Sequence, residues 1–176
     1  EQHARKQRQD FRRTITKSFR YIMFLVVPVS VLFYLLRAQI IRVLFGDGAF
    51  TWDNTGITYE TFGFLVMSIF AQATIPLLTR AFYAKQNTKT PVIISLVSVV
   101  VNTALAFPLS RMYGVQGLAI AFSLAAVVQL IILLSVLHYT LGGFDDRKVF
   151  ISTLKIVFAT LVAAVAAQLL KTPIAA

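Results

Sequence analysis

The sequence predicts an all-α, polytopic integral membrane bundle with five transmembrane helices, and three observations carry that expectation. First, 57% of the 176 residues are hydrophobic and 14% charged, against about 45–50% and about 25% in an ordinary soluble domain. There is too little polar surface for a water-facing coat. Second, the apolar residues fall into uninterrupted runs close to the roughly 20 residues that cross a bilayer as a helix, and the ten-residue alternation of a membrane β-barrel is missing. Third, of the 17 Lys and Arg against 7 Asp and Glu, formally +10, seven basic residues lie in the first twenty positions and most others in short connections between the runs, where a membrane protein reads them as topology signals. The absence of cysteine excludes a disulfide scaffold and thiolate metal sites, and the hydrophobicity excludes disorder.

Residues 1–20 form a basic amphipathic segment with Arg5, Lys6, Arg8, Arg12, Arg13, Lys17 and Arg20. Phe11, Ile15, Phe19 and Ile22 fall at i, i+4, i+8 and i+11, one apolar stripe on a helix. Such a helix is expected to lie on the cytoplasmic membrane surface near anionic headgroups, or to act as a solvated joint between spans. The chain opens at Glu1, without Met and inside a helical pattern, as expected of a piece of a longer protein.

Residues 21–171 hold the spans, at about 21–45, 57–79, 90–110, 115–139 and 149–170. The first contains the charge-free run Tyr21 to Leu36. The second lies between Glu60 and Arg80, the third between Lys89 and Arg111. The fourth falls in the uncharged stretch from Met112 to Phe144, and the fifth carries only Lys155 near its start. Pro28 and Pro76 each remove a backbone hydrogen bond inside a span. Gly117, Ala121 and Ala125, and likewise Ala159, Ala163 and Ala167, repeat small residues every fourth position, a face on which helices approach closely.

Loop charge sets the expected orientation. Segment 1–20, the connection 80–91 with Arg80, Lys85 and Lys89, and the connection 140–149 with Arg147 and Lys148 alternate with 46–56, which has no basic residue, and 111–116, which has one. The basic group belongs in the cytoplasm, so the N-terminus of the chain is expected inside and the C-terminus outside. Arg37 and Arg42, near the outer end of the first span, are expected to snorkel.

No enzyme is expected. The carboxylates lie outside the span centres, His3 and His138 are far apart in sequence, and no metal set or glycine-rich phosphate cradle can be assembled. Neither a cofactor nor nucleic acid is expected as a partner. The informative residues are polar ones within spans: Gln72, Asn102, Ser123 and Gln129. Each needs a partner helix or a water-filled cavity. Interhelical glue and a substrate path both remain open for them, and the residues alone lead to a helical membrane protein of transport type.

The loops carry a resemblance. IIRVLFGDGAFTWDNT (40–55), RAFYAKQNTKTPV (80–92) and GVQGLAIAFSLA (114–125) resemble, in order, an outer loop, a cytoplasmic connection and a helix start of the MurJ (MviN) lipid II flippases. The second motif supplies Arg80, Phe82, Tyr83, Thr88, Lys89, Thr90 and Pro91. Asp47 stands where that family usually has a basic residue, and Asn87 where it usually has Asp. The resemblance implies most of the C-terminal lobe, about helices nine to thirteen, of a two-lobe, fourteen-helix exporter of the multidrug/oligosaccharidyl-lipid/polysaccharide superfamily. It further implies a bacterial cytoplasmic membrane, alternating access, and lipid II, an undecaprenyl-pyrophosphate lipid of peptidoglycan synthesis, as the substrate. Membrane lipids and a missing N-terminal lobe are the other implied partners. The family's cavity arginines lie outside this segment and none is carried over. Asn102, with Ser123 as its expected partner, is the candidate cation-facing amide. Another exporter of the superfamily, for O-antigen or drugs, and a non-transporting membrane scaffold are the alternatives.

Overall fold

The computed structural model describes residues 2–45, 52–141, 154–160, 162 and 164. Five helices follow one another: α1 (Gln2–Phe45), α2 (Trp52–Met67), α3 (Ile69–Ala84), α4 (Lys89–Tyr113) and α5 (Val115–Leu141). Residues 154–160 are helical as well, and no strand occurs among the described residues. Four stretches are long and apolar enough to cross a membrane: Gln9–Leu44, Gly56–Ala84, Lys89–Tyr113 and Val115–Thr140. The loop centred on Asp47, the connection 142–153, and the side chains of Ala163 and Ala167 lie outside the described residues, as does most of the fifth expected span.

α1 is one helix of 44 residues, about 66 Å long at 1.5 Å per residue. That is about twice the hydrocarbon thickness, so one end must stand clear of the bilayer, and the basic residues mark which. The stripe on this end does not rest on a lipid surface. Ile15 and Phe19 are buried, and Ile15 joins Leu78, Ala81 and Phe82 of α3 and Leu133 and Leu137 of α5 in the main apolar cluster, with Phe11 packed against it. The periodicity read from the sequence is real, but helices, not headgroups, occupy the face.

The second span, Gly56–Ala84, carries a one-residue irregularity at Ser68. α2 and α3 have 16 residues each, about 24 Å, too short singly to cross the hydrocarbon core. They meet at Ser68, whose N–H and hydroxyl both donate to the Leu65 carbonyl, at 3.0 and 2.8 Å. α5 is the central helix, packing against α2, α3 and α4, while α1 reaches the bundle through α2 and α3. Ala119, Ala121, Ala125 and Ala126 are all buried, so the small-residue face of α5 is a true contact face. Ser98 of α4 donates across it to the Ala125 carbonyl at 3.1 Å.

Two glycines make the α4–α5 corner. Gly114 ends α4 at φ 58°, ψ −132°, a conformation open to glycine because a Cβ would clash there. Its N–H still caps the helix through the Ser110 carbonyl at 2.9 Å. Gly117 lets the first turn of α5 lie on the end of α4: a Cβ built there would overlap the Leu109 carbonyl group, which is backbone.

The α3–α4 connection is as tight. The N–H groups of Lys85, Gln86 and Asn87 return to the carbonyls of Phe82, Tyr83 and Phe82 at 3.0, 2.8 and 3.1 Å, and Gln86 takes φ 58°. The Asn87 side-chain oxygen then accepts the Thr90 N–H at 3.2 Å, satisfying one of the orphan donors of α4. Pro91 sits in the first turn of α4, where its missing N–H costs nothing.

Two stability predictions follow from these corners. Gly117→Leu should lower the stability of the detergent-solubilised protein by about 3 kcal/mol or more, because backbone must move. Gly117→Ala should also destabilise, whereas Leu130→Ile should cost less than about 1.5 kcal/mol. Thermal unfolding ranks the three, and equal midpoints would remove the close-approach argument. Asn87→Ala should cost about 1 kcal/mol through the lost cap. Asn87→Asp should keep the cap and gain about 0.3–1 kcal/mol from a charge at the helix N-terminus.

Candidate substrate-path face and polar positions

The four polar residues singled out within spans have separate fates. Gln129 of α5 donates through Nε2 to the Ser95 hydroxyl of α4 at 3.1 Å, and Ser95 in turn donates to the Pro91 carbonyl at 2.9 Å. This chain of bonds is interhelical glue. Ser123 is not paired with Asn102: its hydroxyl donates at 2.8 Å to the Phe64 carbonyl of α2. Asn102 is half-buried on a groove of about 470 Å³ between α2, α4 and α5, which Thr61, Thr103 and Phe122 also line. Gln72 is exposed, on the face of α3 opposite the core residues Ala71, Thr74 and Leu78.

The residues of the 80–92 motif divide in the same way. Phe82 is fully buried in the main cluster, and Pro91 is buried on α4. Thr90 supplies the capped N–H, while Thr88 and Lys89 are exposed at the start of α4. Arg80 and Tyr83 are exposed on α3. Lys85, in the same connection, donates through Nζ to the Thr140 carbonyl at the end of α5 at 3.0 Å, a cation on the negative end of a helix dipole.

Three further polar contacts escaped the sequence reading. Arg37 does not snorkel: its guanidinium lies 4.3 Å from the Tyr34 ring centre and 4.0 Å from that of Tyr59, and it donates to the Tyr59 hydroxyl at 2.6 Å. Gly63 leaves the room it fills, since a Cβ there would meet the guanidinium. Gln116 donates from the start of α5 to the Glu60 carboxylate of α2. The pattern Tyr34, Arg37 and Tyr59 contained the aromatic–cation signal, but α1 and α2 had first to be placed side by side.

No group of three His, Cys, Asp or Glu able to hold a metal occurs among the described residues. What the arrangement offers among the described residues is a multi-pass helical wall with largely apolar outer faces and a stripe on α3 that carries Gln72 and Arg80.

Comparison with known proteins places this wall. The structure superposes on a solved structure titled lipid II flippase MurJ, inward closed conformation, with a TM-score of 0.81 over 93% of this chain and 34% of that one, at 24% identity. A probable lipid II flippase MurJ of Bdellovibrio bacteriovorus is 30% identical over 152 residues, 86% of this chain and 29% of that protein. One of Rhizobium tropici is 33% identical over 109 residues, 62% of this chain and 20% of that protein. The chain thus spans under a third of the length of these curated relatives. A family model described as lipid II flippase MurJ matches residues 1–175, so the chain belongs to the MurJ family.

Proposed function

We propose that this chain is the C-terminal-lobe part of a transporter that carries lipid II across the bacterial cytoplasmic membrane by alternating access. The match of the family model along residues 1–175 is the observation that carries the reading, and the shared fold supports it. Such a protein makes and breaks no covalent bond, so the absence of an acid–base constellation in the sequence is no obstacle. Its task is electrostatic: a pyrophosphate and hydrophilic sugars must pass hydrocarbon while the polyprenyl tail stays in lipid.

Orientation follows from charge. Arg12, Arg13, Lys17, Arg80, Lys85 and Lys89 belong to the end of the bundle formed by the start of α1, the end of α3 and the start of α4. The positive-inside rule puts that end in the cytoplasm and the end of the chain outside. Gln72 and Asn102 are the polar positions offered to the substrate path. Ser123 and Gln129 hold helices together. The N-terminal lobe of the family supplies the opposing wall.

Two outcomes test this reading. Cysteine placed at Arg111 should react with an impermeant thiol reagent in intact cells and cysteine at Gln86 should not; the reverse pattern overturns the orientation. Residues 1–176 alone, expressed in a flippase-depleted strain, should insert but fail to expose lipid II outside. The sequence sets no Lys or Arg in the middle of any expected span, and burying a pyrophosphate without cations and water is prohibitive. The complete transporter carrying this chain should restore exposure, and failure of both would sink the transport reading.

A further inference from the structure

The faces that the bundle turns outward are not alike. α4 exposes Val92, Ile93, Leu96, Val100 and Phe107, and α1 exposes Phe24, Leu25, Leu32 and Phe33, surfaces that suit hydrocarbon. α3 is different. Gln72, Pro76, Arg80 and Tyr83 fall at i, i+4, i+8 and i+11 and are all exposed, while the opposite side, Ala71, Thr74, Leu78, Ala81 and Phe82, is buried against α1 and α5.

This stripe is unsuited to lipid on two counts. The Gln72 side-chain amide has no hydrogen-bond partner among the described residues, although it sits well inside the span Gly56–Ala84. Pro76 also has no N–H to give the Gln72 carbonyl, four residues back, so the same position holds an unpaired side chain and a weakened backbone bond. Each such group costs several kcal/mol in hydrocarbon, and water or a polar ligand removes that cost. Arg80 lies two turns further, about 12 Å along the axis, and no described residue pairs with its guanidinium.

We propose that this face of α3 lines the substrate path and that Arg80 receives the diphosphate group of the lipid substrate near the cytoplasmic end. The assignment rests on the transport reading above and deepens it. A guanidinium binds phosphate oxygens through paired N–H donors, and a cation held on a helix beside an apolar core stays where the head group must pass. The Gln72 amide, a donor and an acceptor without net charge, is the next polar position inward. It suits a head group in transit, which must be held and then released. The Tyr83 ring sits one turn from Arg80, an amphipathic body of the kind that suits the level where water gives way to hydrocarbon. Arg80 is thus a substrate-binding cation, and Gln72 a polar step on the path.

The test uses the complete transporter carrying this chain, with lipid II in detergent micelles as the probe and an otherwise cysteine-free background for labelling. Cysteines at Gln72 and Arg80 should react with a charged, impermeant thiol reagent from the cytoplasmic side in inverted vesicles, and cysteine at Val100, on the apolar face of α4, should not. Arg80→Gln should weaken lipid II binding about tenfold, the scale of one charge-assisted contact, with Arg80→Lys between that variant and wild type and an unchanged unfolding midpoint for both. Lysine keeps the charge, so its recovery separates binding from a structural role. Equal affinity of wild type and Arg80→Gln, or labelling at Val100 but not at Gln72 and Arg80, overturns the assignment alone. A wild type that binds no lipid II overturns the transport reading and this assignment with it.

Discussion

Inside hydrocarbon every polar group must find its partner within the protein, and most of this bundle is arranged around that demand. The hydroxyls of Thr61, Thr74, Ser95, Thr103 and Thr140 all turn back on carbonyls of the preceding turn. Others bridge helices: Ser98 to Ala125, Ser123 to Phe64, Gln129 to Ser95. These bonds contribute modestly in energy, about 0.6–2 kcal/mol each, but they fix which faces meet. α5 is the common member of all three bridges, and it is also the helix whose small residues let backbones come close.

How much of this the sequence discloses depends on the range of the interaction. Hydropathy and the charges at run ends show the helices of the described part, because crossing a bilayer is a property of about 20 consecutive residues. The small-residue face of α5 is legible for the same reason: Ala121 and Ala125 share a side by helical period alone. The fate of Phe11, Ile15 and Phe19 is not legible, since one stripe fits a headgroup layer or another helix, and only the placement of α3 decides. Among the polar positions, sequence identifies residues but not partners. Gln129 and Ser123 look like Gln72 in one dimension, yet the first two are bonded across helices and the third faces outward.

Arginine shows the same limit in electrostatic form. Arg37 and Arg80 both stand near span ends, in apolar surroundings. Arg37 is enclosed by two tyrosine rings and a tyrosine hydroxyl, so its charge is spent within the lobe as a cross-link of α1 to α2. Cation–π contacts of this kind, partly out of water, are worth about 1–2 kcal/mol. Arg80, on a helix whose other face is fully packed, has no such enclosure. Charge counting gives both the same weight, whereas their surroundings give one a structural task and, among the described residues, give the other no partner.

The break at Ser68 ties these observations together. α2 is fastened through Arg37 to Tyr59, Glu60 to Gln116 and Phe64 to Ser123, contacts that lie on one side of the break. α3 is fastened by Leu78, Ala81 and Phe82 in the main cluster and by the packing of Ile15, all on the other side. Both halves of the span pack on α1 and α5, α2 through these polar contacts and α3 through its buried apolar side. The two hydrogen bonds from Ser68 to Leu65 keep the break from exposing bare backbone, so the departure from a regular helix is stable where a simple interruption in hydrocarbon would not be.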